Sequence, residues 1–259
     1  MGKNTKIETF DSSWNVITGC QHGCPYCYAV RIAERFAGFK DDDANRHRFS
    51  ATGYNGGNIY RVSIPMERET KSGEIQRAPY PFGFAPTFNS YKLEEPQTWT
   101  EPKDIFVSSM GDMFGNFIPD SWIEEVFKAC RKAPQHRYFF LTKNPMRYAQ
   151  LFEKGLVPKK HDNFWFGTTV AAGNDKFFYD THENCFLSVE PIQEEFEIVP
   201  VGFKWVIVGA ETGNRMGKVK PKKEWISRIA ETCERDGIPL FMKDSLEKLV
   251  GDDFKQEKP

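Results

Sequence analysis

No stretch of this 259-residue chain is apolar for the roughly 20 residues that a membrane-spanning helix needs. The first residues, Met1 to Ile7, are polar and lysine-containing without an apolar centre, which argues against an export signal and for a cytoplasmic location. A dominant charge is missing too. Lys and Arg number 35 against 36 Asp and Glu, a net charge of −1, which disfavours a protein that coats nucleic acid at large. There are no internal repeats, low-complexity tracts or clear linkers, so a single domain over residues 1–259 is expected. Cysteine is scarce: six in all, of which Cys130, Cys185 and Cys233 stand alone on apolar helix faces or at a strand start, as buried cysteines of a reducing compartment do. Aromatic residues are abundant at 15%, and they concentrate in apolar segments where they fill a core.

The other three cysteines are close together, in Thr18-Gly19-Cys20-Gln21-His22-Gly23-Cys24-Pro25-Tyr26-Cys27-Tyr28. Thiols separated by three and then two residues can converge on one metal centre within a short loop. A cubane iron–sulfur cluster ordinarily takes four thiolates, so a loop offering three leaves one iron open. An open coordination position marks chemistry rather than scaffolding. Cys20, Cys24 and Cys27 are therefore the candidate metal ligands. Two other readings exist. The three cysteines with His22 suit structural zinc, although zinc ribbons usually draw on two separated ligand pairs. A disulfide with one thiol left over requires an oxidising compartment that the N-terminus does not indicate.

Apolar runs at Asp104–Ser108, Tyr138–Leu141, Phe164–Thr169, Cys185–Val189, Trp205–Val208 and Ile238–Met242 read as strands. Helical periodicity at Ala29–Phe36, from Asp120, from Asn144-Pro145 to Gly155, and at Pro221–Arg235 alternates with them. Strands apolar throughout, alternating with helices, imply a parallel sheet covered on its outer face. The expected class is α/β: a partial, open βα TIM-type barrel of about six parallel strands, with an irregular insertion after the first βα unit. Residues 40–100 form that insertion or cover segment. They have little periodicity beyond one short strand from Asn58 to Ile64, and Arg46, His47, Arg48, Tyr54 and Arg61 are candidate substrate contacts.

In a parallel barrel the strand C-terminal ends share one rim, where ligands bind. Those ends supply Ser109, Met110, Gly111 and Asp112; Thr142 and Lys143; Thr168 and Thr169; Ser188 and Glu190; Gly209, Glu211 and Asn214; and Lys243 and Asp244. A basic series also recurs after residue 130: Arg131-Lys132, His136-Arg137, Lys143, Arg147, Lys159-Lys160-His161 and Lys218 to Lys223. It is either a set of solvated loops and helix ends or a face for a phosphate-rich substrate.

The cysteine spacing, with an aromatic residue before the last cysteine, resembles the radical S-adenosylmethionine (SAM) superfamily. Longer segments look like a phage-associated radical SAM family of unassigned function: Trp14-Asn15, Thr18-Gly19-Cys20, Cys27-Tyr28-Ala29, Leu93-Glu94-Glu95-Pro96, Ile105–Met110, Leu141-Thr142-Lys143, Leu187–Pro191 and Trp205–Gly213. The resemblance implies a 4Fe–4S cluster on the three cysteines, with SAM chelating the fourth iron. Reductive cleavage of SAM then yields a 5′-deoxyadenosyl radical that abstracts hydrogen from a substrate. It also implies that Tyr26 meets the adenine and that Ser109-Met110-Gly111-Asp112 binds the SAM amino group. Thr168, Ser188, Glu190 and Glu211 stand at further SAM-contacting strand ends. An electron donor such as flavodoxin or ferredoxin follows from the same chemistry. The basic series favours a nucleic-acid base or nucleotide as substrate, to be repaired or modified, over a peptide or small metabolite. The hydrogen-atom donor is not singled out among Cys185, Tyr54 and Tyr179. A non-enzymatic zinc or iron–sulfur protein is the reading from a different class.

Overall fold

The computed structural model describes residues 7–38, 50–52, 58–70, 72–158, 161–173, 175, 177, 184–195 and 202–259. The N-terminal part contains β1 (Ser12–Trp14), β2 (Ile17–Thr18), α1 (Tyr28–Arg35), β3 (Ser50–Thr52), β4 (Asn58–Val62), β5 (Glu67–Glu69), β6 (Ile75–Arg77) and β7 (Thr87–Asn89). The remainder alternates: β8 (Asp104–Val107), α2 (Asp120–Lys132), β9 (Arg137–Thr142), α3 (Met146–Glu153), β10 (Phe164–Val170), β11 (Asn184–Val189), β12 (Phe203–Val208), α4 (Lys223–Arg235), β13 (Leu240–Met242) and the short α5 (Glu247–Val250). No helix among the described residues is long and apolar enough to cross a membrane.

Seven strands form one sheet in the order β1-β8-β9-β10-β11-β12-β13, and every neighbouring pair is parallel. The sheet curls into a half-barrel. The expectation of about six strands is thereby corrected to seven. The added strand is β1, whose Ser12-Ser13-Trp14 is too short and polar to stand out as an apolar run. Pairing creates it instead. Ser12, Ser13 and Trp14 lie in register with Ile105, Phe106 and Val107, and the fully buried Trp14 indole donates to the Lys92 carbonyl at 2.9 Å.

Side-chain alternation along the strands separates two faces. Ile105, Val107, Tyr138, Phe140, Phe164 and Phe166 pack on the convex side with Trp122, Ile123, Val126 and Phe127 of α2. Farther along, Leu187, Val189, Val206 and Val208 pack with Ile226, Ile229 and Cys233 of α4. Helix α2 suits this place because its apolar residues recur on one stripe. Asp120 in its first turn and Arg131 and Lys132 in its last complement its dipole. The concave face carries the residues of opposite parity: Phe139, Trp165, Phe186, Trp205, Ile207 and Phe241, joined by Phe10. Among the described residues no helix residue enters that cluster. This aromatic layer is the floor on which the site stands.

Residues 40–100 hold more regular structure than their Gly- and Pro-rich sequence implies. A second sheet has the order β2-β7-β4-β3, and β5 pairs with β6 as a hairpin. Tyr60 stacks on Phe82 at 3.9 Å to form a small core, while Ile59 and Phe88 join the main one. Arg61, expected as a substrate contact, is held by Glu125 of α2 in a two-pronged ion pair at 2.7 and 2.9 Å. Arg46, His47, Arg48, Tyr54 and Tyr179 lie outside the described residues.

Candidate functional site

A cavity of about 480 Å³ opens at the C-terminal ends of the parallel strands, lined by Cys20, Cys24 and Cys27 among others. That volume lies within the usual ~300–1,000 Å³ of small-molecule sites. The cysteine loop is fixed on one wall by backbone contacts that only glycine permits. Gly19 has φ 82°, and a Cβ there would stand 2.3 Å from the Ala85 carbonyl oxygen. Gly111 lies beside it, where a Cβ would reach within 2.6 Å of the Gly19 oxygen. This closeness lets Gly19 N–H donate to Met110 O at 2.8 Å and Cys20 N–H donate to Phe84 O at 3.2 Å. The loop is thus clamped between the β8 end and the 40–100 segment.

Ser108, at the end of β8, makes the turn that brings residues 109–112 to the loop. Its φ of 59° is left-handed, a conformation costing roughly 1–2 kcal/mol for a residue with a Cβ. The Asn15 side-chain oxygen then accepts from Ser109 Oγ and Met110 N–H at 3.1 and 3.0 Å. Tyr28, at the start of α1, donates its hydroxyl to Ser109 O at 2.7 Å.

Asp112 is the centre of this wall. Its buried carboxylate accepts from Phe114 N–H at 2.9 Å, the Thr142 hydroxyl at 2.8 Å, Lys143 N–H at 3.0 Å and His22 Nε2 at 2.8 Å. It therefore joins the cysteine loop to the ends of β8 and β9. Lys143 extends the connection, donating from Nζ to the Tyr26 hydroxyl at 3.1 Å. Burial, reinforced by the Asp112 charge, pushes the Cys20 thiol up to about 12, and burial also raises Cys24 against the opposing Lys143 ammonium. Without a cation Cys20 stays a thiol at neutral pH.

The opposite wall comes from β10 to β13. Thr169, Ser188, Glu190 and Lys243 line it, and Lys243 Nζ lies 4.0 Å from Glu190 Oε2. Burial raises the Glu190 carboxyl, and Lys243 opposes that shift. Glu211 is gripped by Arg215 through two bonds of 2.6 and 2.7 Å, and those bonds hold its carboxyl below the usual range.

Of the expected SAM contacts, the structure brings Tyr26, Ser109, Gly111, Asp112, Ser188, Glu190 and Glu211 to the cavity. Met110 and Thr168 do not line it. Met110 is buried, and its carbonyl is engaged by Gly19. Thr168 has convex parity and is fully buried, so its neighbour Thr169 faces the cavity instead. Asp112 and Glu211 reach the cavity with their carboxylates already engaged by protein donors, which fits positioning roles better than direct ligand binding. Lys143 and Lys243 gain importance over these. Strand parity counted from Phe139 and Phe241 locates both, once the concave face is known.

The basic series does not form one face. Arg137 pairs with Asp104 at the far end of the strands, Arg147 pairs with Asp120, and Lys223 pairs with Asp253 at 2.8 Å. Lys143 lines the cavity, Lys218 donates to Gly213 O at 2.9 Å near its rim, and Lys159 and Lys160 lie outside the described residues. Cys185 is buried in the convex core, away from the cavity lining.

Three thiols line one wall of the cavity, the ligand type that an iron–sulfur cluster takes. Among the described residues no three His, Cys, Asp or Glu side chains close around one ion position. His22 directs Nε2 to Asp112, which leaves three thiols along one wall and open space in front of them.

Neither the curated proteins nor the solved structures contain a match to the chain. The resemblance to the radical SAM superfamily, and to a phage-associated family within it, is corrected by the family comparison. The matching model describes a protein of unknown function, DUF5131, and no radical SAM family model matches. That match covers residues 4–250, nearly the whole chain, which therefore belongs to the DUF5131 family.

Proposed function

We infer that the chain is an enzyme in which Cys20, Cys24 and Cys27 hold a 4Fe–4S cluster and the facing cavity takes SAM and a substrate. The supporting observation is the clamped loop itself: three thiols on one wall of a strand-end cavity, and no fourth thiol lining it. A cluster held there and charged by an external reductant would supply one electron for reductive cleavage of SAM, the source of a radical able to abstract hydrogen from a substrate. The protein's own contribution is position and exclusion of water. Gly19 and Gly111 set the height of the loop, Asp112 ties it to the strand ends, and Lys143 fixes the Tyr26 ring beside Cys24 and Cys27. Phe10, Phe106 and Phe186 make the floor apolar. The substrate in this reading is a nucleic-acid base or nucleotide, admitted past the 211–218 loop, which carries Arg215 and Lys218 and has Arg31 against Gly213.

Anaerobic reconstitution with iron and sulfide, followed by SAM and a reductant, tests the reading. Four irons per chain, with 5′-deoxyadenosine formed, is the expected result. Exchanging all three cysteines for alanine abolishes both, while Cys130→Ala leaves both intact. Zinc retained after chelation, with no SAM cleavage, would overturn the proposal in favour of a structural metal protein.

A further inference from the structure

We propose that Lys243 and Glu190 form the substrate-recognition pair, gripping the lactam edge of a planar base, where a carbonyl oxygen sits beside a ring N–H. The inference rests on the cavity being the active site and names what occupies the wall built by the ends of β11 to β13. Lys243 is 8% exposed, yet its ammonium has no hydrogen-bond acceptor among the described residues. Its nearest carboxylate oxygen, on Glu190, lies at 4.0 Å, beyond hydrogen-bond length. The nitrogen faces the cavity, where water solvates it until a ligand acceptor takes that place.

The pair is set in place by backbone. Lys243 N–H donates to Val208 O at 2.9 Å, and Gly209 N–H donates to Val189 O at 3.0 Å, so β11, β12 and β13 are locked together just below both side chains. Gly209 makes room for them. A Cβ there would lie 2.9 Å from Lys243 Cγ and 3.3 Å from Glu190 Cδ. The Thr9 hydroxyl on the cavity lining is also buried without a hydrogen-bond partner among the described residues.

The chemistry of the ligand follows from complementarity. The ammonium only donates and the ionised carboxylate only accepts. A group that offers an acceptor beside a donor satisfies both at once. Lys243 is faced by Glu190 and, on the same wall, by Glu8, so a neutral ligand is favoured over a phosphate, which would meet two carboxylates. The floor selects a flat molecule: Phe10, Phe106 and Phe186 line the cavity, and Phe10 stacks on Phe106 at 4.9 Å. A zwitterionic amino acid matches the charges but offers no ring to that floor.

Calorimetric titration of the purified chain with thymidine, N3-methylthymidine, guanosine, 1-methylguanosine and glycine tests the proposal. Methylation removes the ring N–H donor and keeps the ring and carbonyls. At least one unmodified nucleoside should bind, with its methylated partner tenfold or more weaker, the change expected for one hydrogen bond to a charged group. Lys243→Met and Glu190→Gln should each lower that affinity by a similar factor. Equal binding of a nucleoside and its methylated partner, failure of both nucleosides to bind, or a preference for glycine overturns it. The comparison of nucleosides on the unaltered chain decides even if a variant fails to fold. Cluster content and SAM cleavage are read separately. A chain that cleaves SAM without discriminating the edges overturns this inference alone, and one that discriminates without cleaving SAM overturns only the enzyme reading.

Discussion

Replacing Asp112 by Asn tests whether that carboxylate anchors the cysteine wall. Four donors converge on it: Phe114 N–H, the Thr142 hydroxyl, Lys143 N–H and His22 Nε2. Asparagine retains one acceptor oxygen and turns an NH2 group toward donors. With the oxygen in the Oδ1 position, Phe114 and Thr142 keep a partner, now a neutral one. Lys143 N–H then faces an amide N–H, and His22 has to present a lone pair. Hydrogen bonds to charged groups contribute ~1.5–3 kcal/mol each, and a donor left unsatisfied costs ~1–3 kcal/mol. With the Lys143 bond broken and the His22 bond reversed, the expected destabilisation is about 3 kcal/mol. For a chain of this size ~1 kcal/mol shifts Tm by about 2–4 °C, so Tm should fall by about 6–12 °C. Thermal unfolding followed by tryptophan fluorescence, without metal or SAM, measures it. A variant melting within ~2 °C of the parent refutes the anchor role and returns Asp112 to direct ligand binding.

Gly19→Ala should cost more than ~2 kcal/mol, because its Cβ would meet backbone at 2.3 Å; Gly23→Ala, also left-handed at φ 69° but with nothing within 4 Å, should cost only ~1 kcal/mol, and equal losses by urea unfolding would remove the clamp argument. Ser108→Gly removes a left-handed strain and a buried hydroxyl without a partner, so Tm should rise by a few degrees; a fall would show that the serine is needed as such. The Glu211–Arg215 clamp lowers the folded Glu211 value below its ordinary 4.5, so its stabilisation is fully present above that pH and is lost as pH falls through the lower value. Glu211→Gln should therefore melt lower than the parent at neutral pH, with the gap closing in acid, and a gap independent of pH would exclude the charge as its cause.

How far the chain can be read without its fold depends on the element. Apolar runs such as Phe164–Phe166 and Trp205–Val208 mark strands because both faces of a covered parallel sheet are dry. The same property hides which face is which. Thr168 and Thr169 look equivalent in sequence, and only the curl of the sheet turns Thr169 to the cavity. Residues 40–100 looked irregular because their strands are three to five residues long and draw their pairing from distant partners, such as β2 with β7.

The sequence by itself determined the chemistry that is available: three thiols at close spacing, glycines flanking them, and polar residues after each strand. Those are local properties, set by covalent spacing and side-chain type. The tertiary structure decided which groups meet. It made a strand of Ser12-Ser13-Trp14, joined Asp112 to donors in its own turn, at the β9 end and in the cysteine loop, and set Lys243 beside Glu190 on the opposite wall. Such contacts depend on register and curl, which arise from pairing between residues far apart in the chain.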